Sequence, residues 1–248
     1  MILLIIVHAI LGWLAAVAIN HAADILPSRD TVFQWPACHQ CGARRPARQW
    51  SALLAWAARQ KTCPQCGAAR PTFNRSLVVE LVMPVMFAYL MSHFGPAPYM
   101  WLVSVYSVIL VLVTVTDLEH RLIFNVVILP SIGLAIAAAF LVPGLYWRSA
   151  LVGGVGAFVV VYVAALVARG GLGEGDVTLS AFLGFAMGFP LIVLSLTFGV
   201  FLGGFISLLL LLSRRVGLKS FIPYGPFLTV TGWVMLVWGD AIWQHYFF

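Results

Sequence analysis

Two sets of residues in this sequence have types and spacings suited to chemistry, and the first is a group of four cysteines. They form two C-x-x-C-G motifs, at 38–42 and 63–67. Two intervening residues let both thiolates of a pair face one ion, and the following glycine tolerates the positive φ of such a turn. The pattern favours a closed, structural Zn²⁺ site, and the alternatives are two redox-active C-x-x-C pairs or thiols without a function. The predicted ligands are Cys38, Cys41, Cys63 and Cys66.

The second set consists of two aspartates that border long apolar segments. Asp117 ends one such segment, and Asp176 begins another, 59 residues later. Two carboxylates held close together share a proton, so that one serves as general base for a water while the other polarises a carbonyl group. Gly173 and Gly175 beside Asp176 would allow the backbone to approach a substrate strand or another helix closely. The alternative is that both aspartates only flank helix ends, but the cost of carboxylates near a membrane favours a functional role.

The elements that position these residues are long and apolar. The chain has 248 residues, of which 62% are hydrophobic and 9% charged, and its mean hydropathy is +1.01. This composition excludes an ordinary soluble domain and a disordered chain, and it predicts an all-α polytopic membrane protein with about eight transmembrane helices. The first run lacks a basic start and is interpreted as a span rather than a cleaved signal peptide. The predicted spans are 1–23, 77–95, 98–116, 122–142, 149–168, 177–189, 190–212 and 226–247.

One polar segment interrupts this pattern. Residues 24–76 contain all four cysteines and eight of the 14 Lys and Arg residues. The predicted domains are therefore a first transmembrane helix at 1–23, a small cytoplasmic zinc-binding domain at 24–76, and a membrane bundle at 77–248 that carries the aspartates. With 24–76 in the cytoplasm, 13 of the 14 basic residues fall on the cytoplasmic side, which follows the positive-inside rule. The net charge of +6 is thereby explained without a nucleic-acid partner.

Four motifs in order resemble those of a known family. Residues 173–176 fit the GxGD signature of intramembrane aspartic proteases, and 171–179 resemble the GxGxGDxKL segment of type IV prepilin peptidases, with Thr178 where lysine is usual. Residues 117–125 resemble the other aspartate motif of that family, with Phe124 where proline is common, and 222–228 resemble its PFGPFL element. The paired cysteines after the first span also match.

The resemblance implies an activity and a location. Members of the family remove the short basic leader from prepilins and pseudopilins at the cytoplasmic face of the bacterial inner membrane. By this resemblance Asp117 and Asp176 are the catalytic aspartates, Gly173 and Gly175 belong to the active-site loop, and the four cysteines bind zinc. The implied partners are prepilin or pseudopilin substrates and the lipid bilayer.

Many bacterial members also methylate the new N-terminus with S-adenosylmethionine, and this second activity depends on segments that match less well. The family's first span reads GSFLNVVIYRLP, and of its polar residues the aligned segment 16–27 keeps Asn20. A later PLVELLTG-like run is matched at Glu80, but Pro84 stands where the family has glycine. The resemblance assigns Asn20 and Glu80 to a possible S-adenosylmethionine site.

Two other functions are compatible with the same residues. In a transporter or channel the aspartates would bind a cation, although no internal repeat is evident and both carboxylates are predicted at one membrane face. In a zinc-stabilised membrane scaffold they would have no chemical role. Cleavage of a prepilin-like peptide that depends on Asp117 and Asp176 would separate the peptidase from both alternatives.

Overall fold

The structure is a computed structural model that describes residues 1–28, 35–167, 173–214, 217 and 223–247. In these ranges all regular secondary structure is helical, apart from two isolated β-bridges. One apolar helix occupies each of the eight predicted runs, and the short helix α2 lies in the polar insertion, so the predicted fold class is confirmed. The helices are α1 Ile2–Ile25, α2 Ala52–Ala57, α3 Phe73–Phe94, α4 Pro98–His120, α5 Asn125–Leu141, α6 Trp147–Val167, α7 Glu174–Met187, α8 Leu191–Leu212 and α9 Gly225–Phe247.

The apolar helices fall into two length classes. Six of them, α1, α3, α4, α6, α8 and α9, are long and apolar enough to cross a membrane. The other two, α5 and α7, have 17 and 14 residues, fewer than the roughly 20 that a bilayer core requires. The sixth and seventh predicted spans are separate helices, because Gly188 has a φ of +73° between Met187 and Leu191.

Parts of the sequence predictions lie outside the described residues. Four of the basic residues counted for orientation are affected, together with two residues of the 171–179 motif and one of the 222–228 motif. They are Arg29, Arg169, Arg215 and Lys219, then Gly171 and Leu172, and finally Ile222.

The chain divides into two compact units, and the first comprises Met1–Ser104. In this unit α1 packs along α3. A β-carbon added to Gly12 would lie 2.8 Å from the Met83 carbonyl oxygen, so the two helices approach closely where α1 has no side chain. The cysteine-containing insertion connects these helices and includes α2.

The second unit, Val105–Phe248, is built around α7. This helix contacts α5, α6, α8 and α9, and most of its side chains between Val177 and Ala186 are buried. A helix surrounded in this way is apolar on every side. Its contact with α6 is close, because a β-carbon on Gly153 would lie 2.7 Å from the Gly184 carbonyl oxygen. The first turn of α7 carries Asp176, so the central helix fixes one of the two candidate aspartates.

Candidate active site and metal centre

Asp117 is positioned by the antiparallel packing of α4 against α9. Three successive contacts join the two helices: Ser107 accepts a hydrogen bond from Trp233 Nε1 at 2.9 Å, Thr114 and Thr229 hydroxyls lie 2.6 Å apart, and Asp117 meets Gly225. The residue numbers of these contacts increase along α4 and decrease along α9, at spacings that place them on one face of each helix. This series of contacts brings the C-terminal end of α4 to the N-terminus of α9.

The Asp117 carboxylate is held by a backbone group. The Gly225 N–H donates to Asp117 Oδ2 at 3.0 Å, where the first N–H groups of α9 have no partner in their own helix. Asp117 is 6% exposed. Among the described residues no hydrogen bond is made to its other oxygen, Oδ1.

Asp176 has an equivalent environment at the start of α7. Its Oδ2 accepts a hydrogen bond from the Gly173 N–H at 3.1 Å, and its own N–H donates to the Gly173 carbonyl oxygen at 3.0 Å. The residue is 7% exposed. Asp176 therefore caps its own helix through one oxygen and, in the part of the chain described, keeps the other without a hydrogen bond.

The two aspartate motifs meet at one side chain, although 59 residues separate Asp117 and Asp176 in sequence. Ile123 Cβ would lie 2.6 Å from a β-carbon on Gly175, beside Asp176, and Ile123 Cδ1 would lie 3.3 Å from one on Gly225, which binds Asp117.

Each aspartate is nearly buried, each uses one oxygen to bind a backbone N–H, and each retains a second oxygen. Such a pair has the properties needed to share a proton and to activate a water between its members. Their neighbours Glu119 and Glu174 are exposed.

The glycines of the GxGD motif differ in their surroundings. Gly173 supplies the backbone groups that bind Asp176. A β-carbon on Gly175 would lie 2.6 Å from Ile123 Cβ, so this position admits no side chain. The close approach at Gly175 is therefore to the chain's own loop after α4.

The four cysteines form one cluster in the first unit. Their sulfur atoms all lie within 4.8 Å of one another, with Cys38 and Cys66 3.6 Å apart and Cys41 and Cys63 3.7 Å apart. These distances far exceed a disulfide bond of about 2.05 Å. They match the separation of about 3.8 Å between thiolates bound at about 2.3 Å to one tetrahedral ion. The cluster can therefore hold a metal ion.

Each cysteine pair lies in a tight turn of the predicted kind. Gly42 and Gly67 have φ values of +69° and +71°, a conformation that favours glycine. The N–H groups of Cys41 and Gln40 face the first sulfur and lower the pKa of Cys38 to about 6. Equivalent N–H groups lower the pKa of Cys63. The backbone of each turn thus favours the thiolate form of its first cysteine, the form that binds metal.

Glu80 and Asn20 lie in a buried hydrogen-bond network in the first unit, and neither has exposed surface. The Glu80 carboxylate accepts hydrogen bonds from the Ala52 N–H at 2.7 Å, the Leu53 N–H at 3.0 Å and the Ser51 hydroxyl. It also accepts one from Asn20 Nδ2 at 3.3 Å. Glu80 therefore binds the N-terminus of α2 and connects the insertion to α1 and α3.

This network predicts the effect of removing one acceptor oxygen. In Glu80→Gln an amide N–H₂ replaces a carboxylate oxygen and must face groups that are themselves donors. A buried donor left in that position costs about 1–3 kcal/mol, so we expect a lower unfolding midpoint and faster tryptic cleavage within 44–61. The matched control is Glu119→Gln at an exposed carboxylate, and equal stability of both variants would contradict the role of Glu80.

Sequence reasoning missed three features of these sites. It quoted Gly225 only within a motif, it gave Ile123 no role, and it did not identify Ser51 as a partner of Glu80. Only the PFGPFL-like motif could have drawn attention to Gly225, because nothing in the sequence pairs the start of α9 with the end of α4.

The fold and the first site together define a class of protein: a helical protein with membrane-length helices and a nearly buried aspartate pair. Residues 104–208, which include both aspartates, match the sequence model of the Type IV leader peptidase family. The predicted resemblance to type IV prepilin peptidases is thereby confirmed.

Individual relatives give the same result. The chain is 28% identical over 167 residues to the prepilin leader peptidase/N-methyltransferase of Bacillus subtilis, covering 67% of each protein. It is 29% identical over 183 residues to the protein of that name from Pseudomonas aeruginosa and over 182 residues to that from Stutzerimonas stutzeri, covering 70% of this chain in both cases. The matches span 61% and 62% of those two relatives. No solved structure matches the chain.

Proposed function

We propose that this protein is a membrane aspartic endopeptidase that removes leader peptides from type IV prepilins or pseudopilins. The observation that supports the proposal is that Asp117, at the end of α4, and Asp176, at the start of α7, are each nearly buried and each anchored by one backbone N–H. Ile123 packs beside the glycines next to both of them. The family match over 104–208 contains both aspartates, and the relatives bear the name prepilin leader peptidase/N-methyltransferase. A cation-binding pair without catalysis has no comparable support.

The proposed reaction follows the chemistry of a shared proton. One aspartate, ionised, takes a proton from a water as the water oxygen bonds to the scissile carbonyl carbon. The other, protonated, donates a hydrogen bond to the carbonyl oxygen. The C–N bond then breaks, the leaving amine takes a proton from the pair, and the two products are a carboxylic acid and an amine. The oxygens that carry these protons are the Oδ1 atoms, since both Oδ2 atoms bind backbone N–H groups.

The proposed setting is the bacterial inner membrane. We place the cysteine insertion and both aspartates on the cytoplasmic side, because this orientation puts 13 of the 14 basic residues in the cytoplasm. Prepilins with basic leaders would then reach the aspartate pair from that side. The proposed domains remain the first helix at 1–23, the insertion at 24–76 and the bundle at 77–248.

We propose Zn²⁺ as the metal of the four-cysteine cluster. Four thiolates favour zinc over the harder cations, and a closed set of protein ligands is typical of a structural site. With no ligand position left for water, the metal supplies folding energy and takes no part in cleavage.

N-methylation is supported by the printed names of the relatives. When bound, S-adenosylmethionine supplies a methyl group to a free amine. Glu80 and Asn20 do not fit direct contact with it in this conformation, because neither side chain has exposed surface. We therefore assign them an indirect role, in which they hold the insertion against α1 and α3, and we assign no step of methyl transfer to them.

One assay tests the proposed activities together. Purified protein in detergent or liposomes is incubated with a full-length prepilin and labelled S-adenosylmethionine, and the products are separated by size. Release of the leader supports the peptidase, and intact substrate under conditions where a known relative cleaves it would refute it. Label on the shortened product supports methylation, and an unlabelled shortened product identifies a peptidase alone.

A further inference from the structure

The start of α9 contacts one of the two aspartates directly. Gly225 donates its N–H to Asp117 Oδ2 at 3.0 Å. This segment lies beyond residues 104–208, which match the family model.

The contact at Gly225 leaves no room for a side chain. A β-carbon built on this residue would lie 2.6 Å from Asp117 Oδ2 and 3.1 Å from Asp117 Cγ. The first distance is far below van der Waals contact, and the obstacle is the carboxyl group itself. Any larger residue at 225 must displace the carboxylate or move the start of α9.

Ile123 extends the same contact to the other aspartate motif. Its Cβ would lie 2.6 Å from a β-carbon on Gly175, and its Cδ1 would lie 3.3 Å from one on Gly225. The Ile123 side chain thus fills the space between two glycines, one beside Asp176 and one bonded to Asp117. Three segments that are distant in sequence meet here: the loop after α4, the start of α7 and the start of α9.

We propose that Gly225 is a positioning residue of the active site, with Ile123 as its packing partner. The Gly225 N–H fixes one carboxylate oxygen of Asp117, and the absence of a side chain lets α9 come close enough to make that bond. The second oxygen of Asp117 is thereby kept in place for the water and for Asp176. This inference rests on the proposed peptidase function.

The expected consequence is a loss of turnover without a loss of substrate binding. Displacement of a reacting group by about 1 Å can reduce a rate by about 100-fold. For Gly225→Ala we therefore expect kcat for leader cleavage to fall by about 10- to 100-fold. KM should stay within about twofold, because the substrate is bound by surfaces that the substitution leaves intact.

The matched control is Gly204→Ala, at a glycine of α8 where an added β-carbon meets no atom within 4 Å. It should cleave at the wild-type rate. A folded Gly225→Ala protein with a control-like kcat would overturn the inference, and so would a raised KM at unchanged kcat. An inactive wild-type protein would instead refute the proposed function, so the two failures are distinguishable.

A second variant decides the matter if Gly225→Ala fails to fold. Ile123→Val removes only the Cδ1 atom nearest Gly225, and such a core substitution costs about 0.5–1.5 kcal/mol. We expect the variant to fold, with kcat reduced about two- to tenfold and KM unchanged, because the contact that seats Gly225 against Asp117 is loosened. An unchanged kcat in this variant would overturn the proposal.

Discussion

Replacing either Asp117 or Asp176 by asparagine should reduce leader cleavage by on the order of 10³-fold or more. Asparagine keeps the size of the side chain and an oxygen for the Gly225 or Gly173 N–H, so the fold should survive. It cannot take or share a proton, and both roles in the proposed reaction are thereby lost. Cleavage of a prepilin, followed by electrophoresis or mass spectrometry of the product, measures the effect.

The double variant tests whether the two aspartates act as one unit. If each needs the other, Asp117→Asn with Asp176→Asn should be little slower than either single variant, because the effects of a cooperating pair are not additive. Glu174→Gln is the matched control, since it neutralises an exposed carboxylate two residues from Asp176. A single variant with near-wild-type cleavage, at unchanged helix content and yield, would refute the assignment of the pair.

Most of the fold could be predicted from composition and the lengths of apolar runs. Each of the eight runs contains one helix, because a continuous apolar segment satisfies its backbone only as a helix in a membrane. The two short helices, α5 and α7, could not be distinguished from spans in this way. Because α7 is buried on all sides, its apolar residues contact other helices where those of a span would contact lipid. The length of an apolar run does not distinguish these two cases.

The chemistry of the sites could be predicted better than their geometry. The cysteine spacing predicts the four-sulfur cluster because two-residue spacings and glycine turns are local properties. The proximity of Asp117 and Asp176 could only be hypothesised from the sequence, because a pattern along the chain does not specify which helices pack together. The hydrogen-bond partners of Glu80 could not be predicted for the same reason. The Ala52 N–H of α2, which donates to Glu80, is 28 residues away in sequence.

Removing one cysteine should destabilise the insertion far more than it affects the chemistry of cleavage. Cys63→Ser eliminates one of four thiolates that lie within 4.8 Å of one another, and the remaining three bind zinc more weakly. A structural zinc site contributes about 10–16 kcal/mol of apparent binding energy to folding in small domains. We therefore expect metal content to fall from one ion per chain, the unfolding midpoint to fall, and trypsin to cut rapidly between Arg44 and Lys61.

The control for this prediction is His39→Gln, which changes an exposed residue inside the first cysteine turn without touching a sulfur. It should retain one zinc per chain by elemental analysis and resist trypsin as the wild type does. Molecules of Cys63→Ser that remain folded should still cleave prepilin, because the two aspartates belong to the other compact unit of the chain. If wild-type protein stripped of metal by a chelator were as stable and as protease-resistant as the metal-bound form, the cluster would have no structural role.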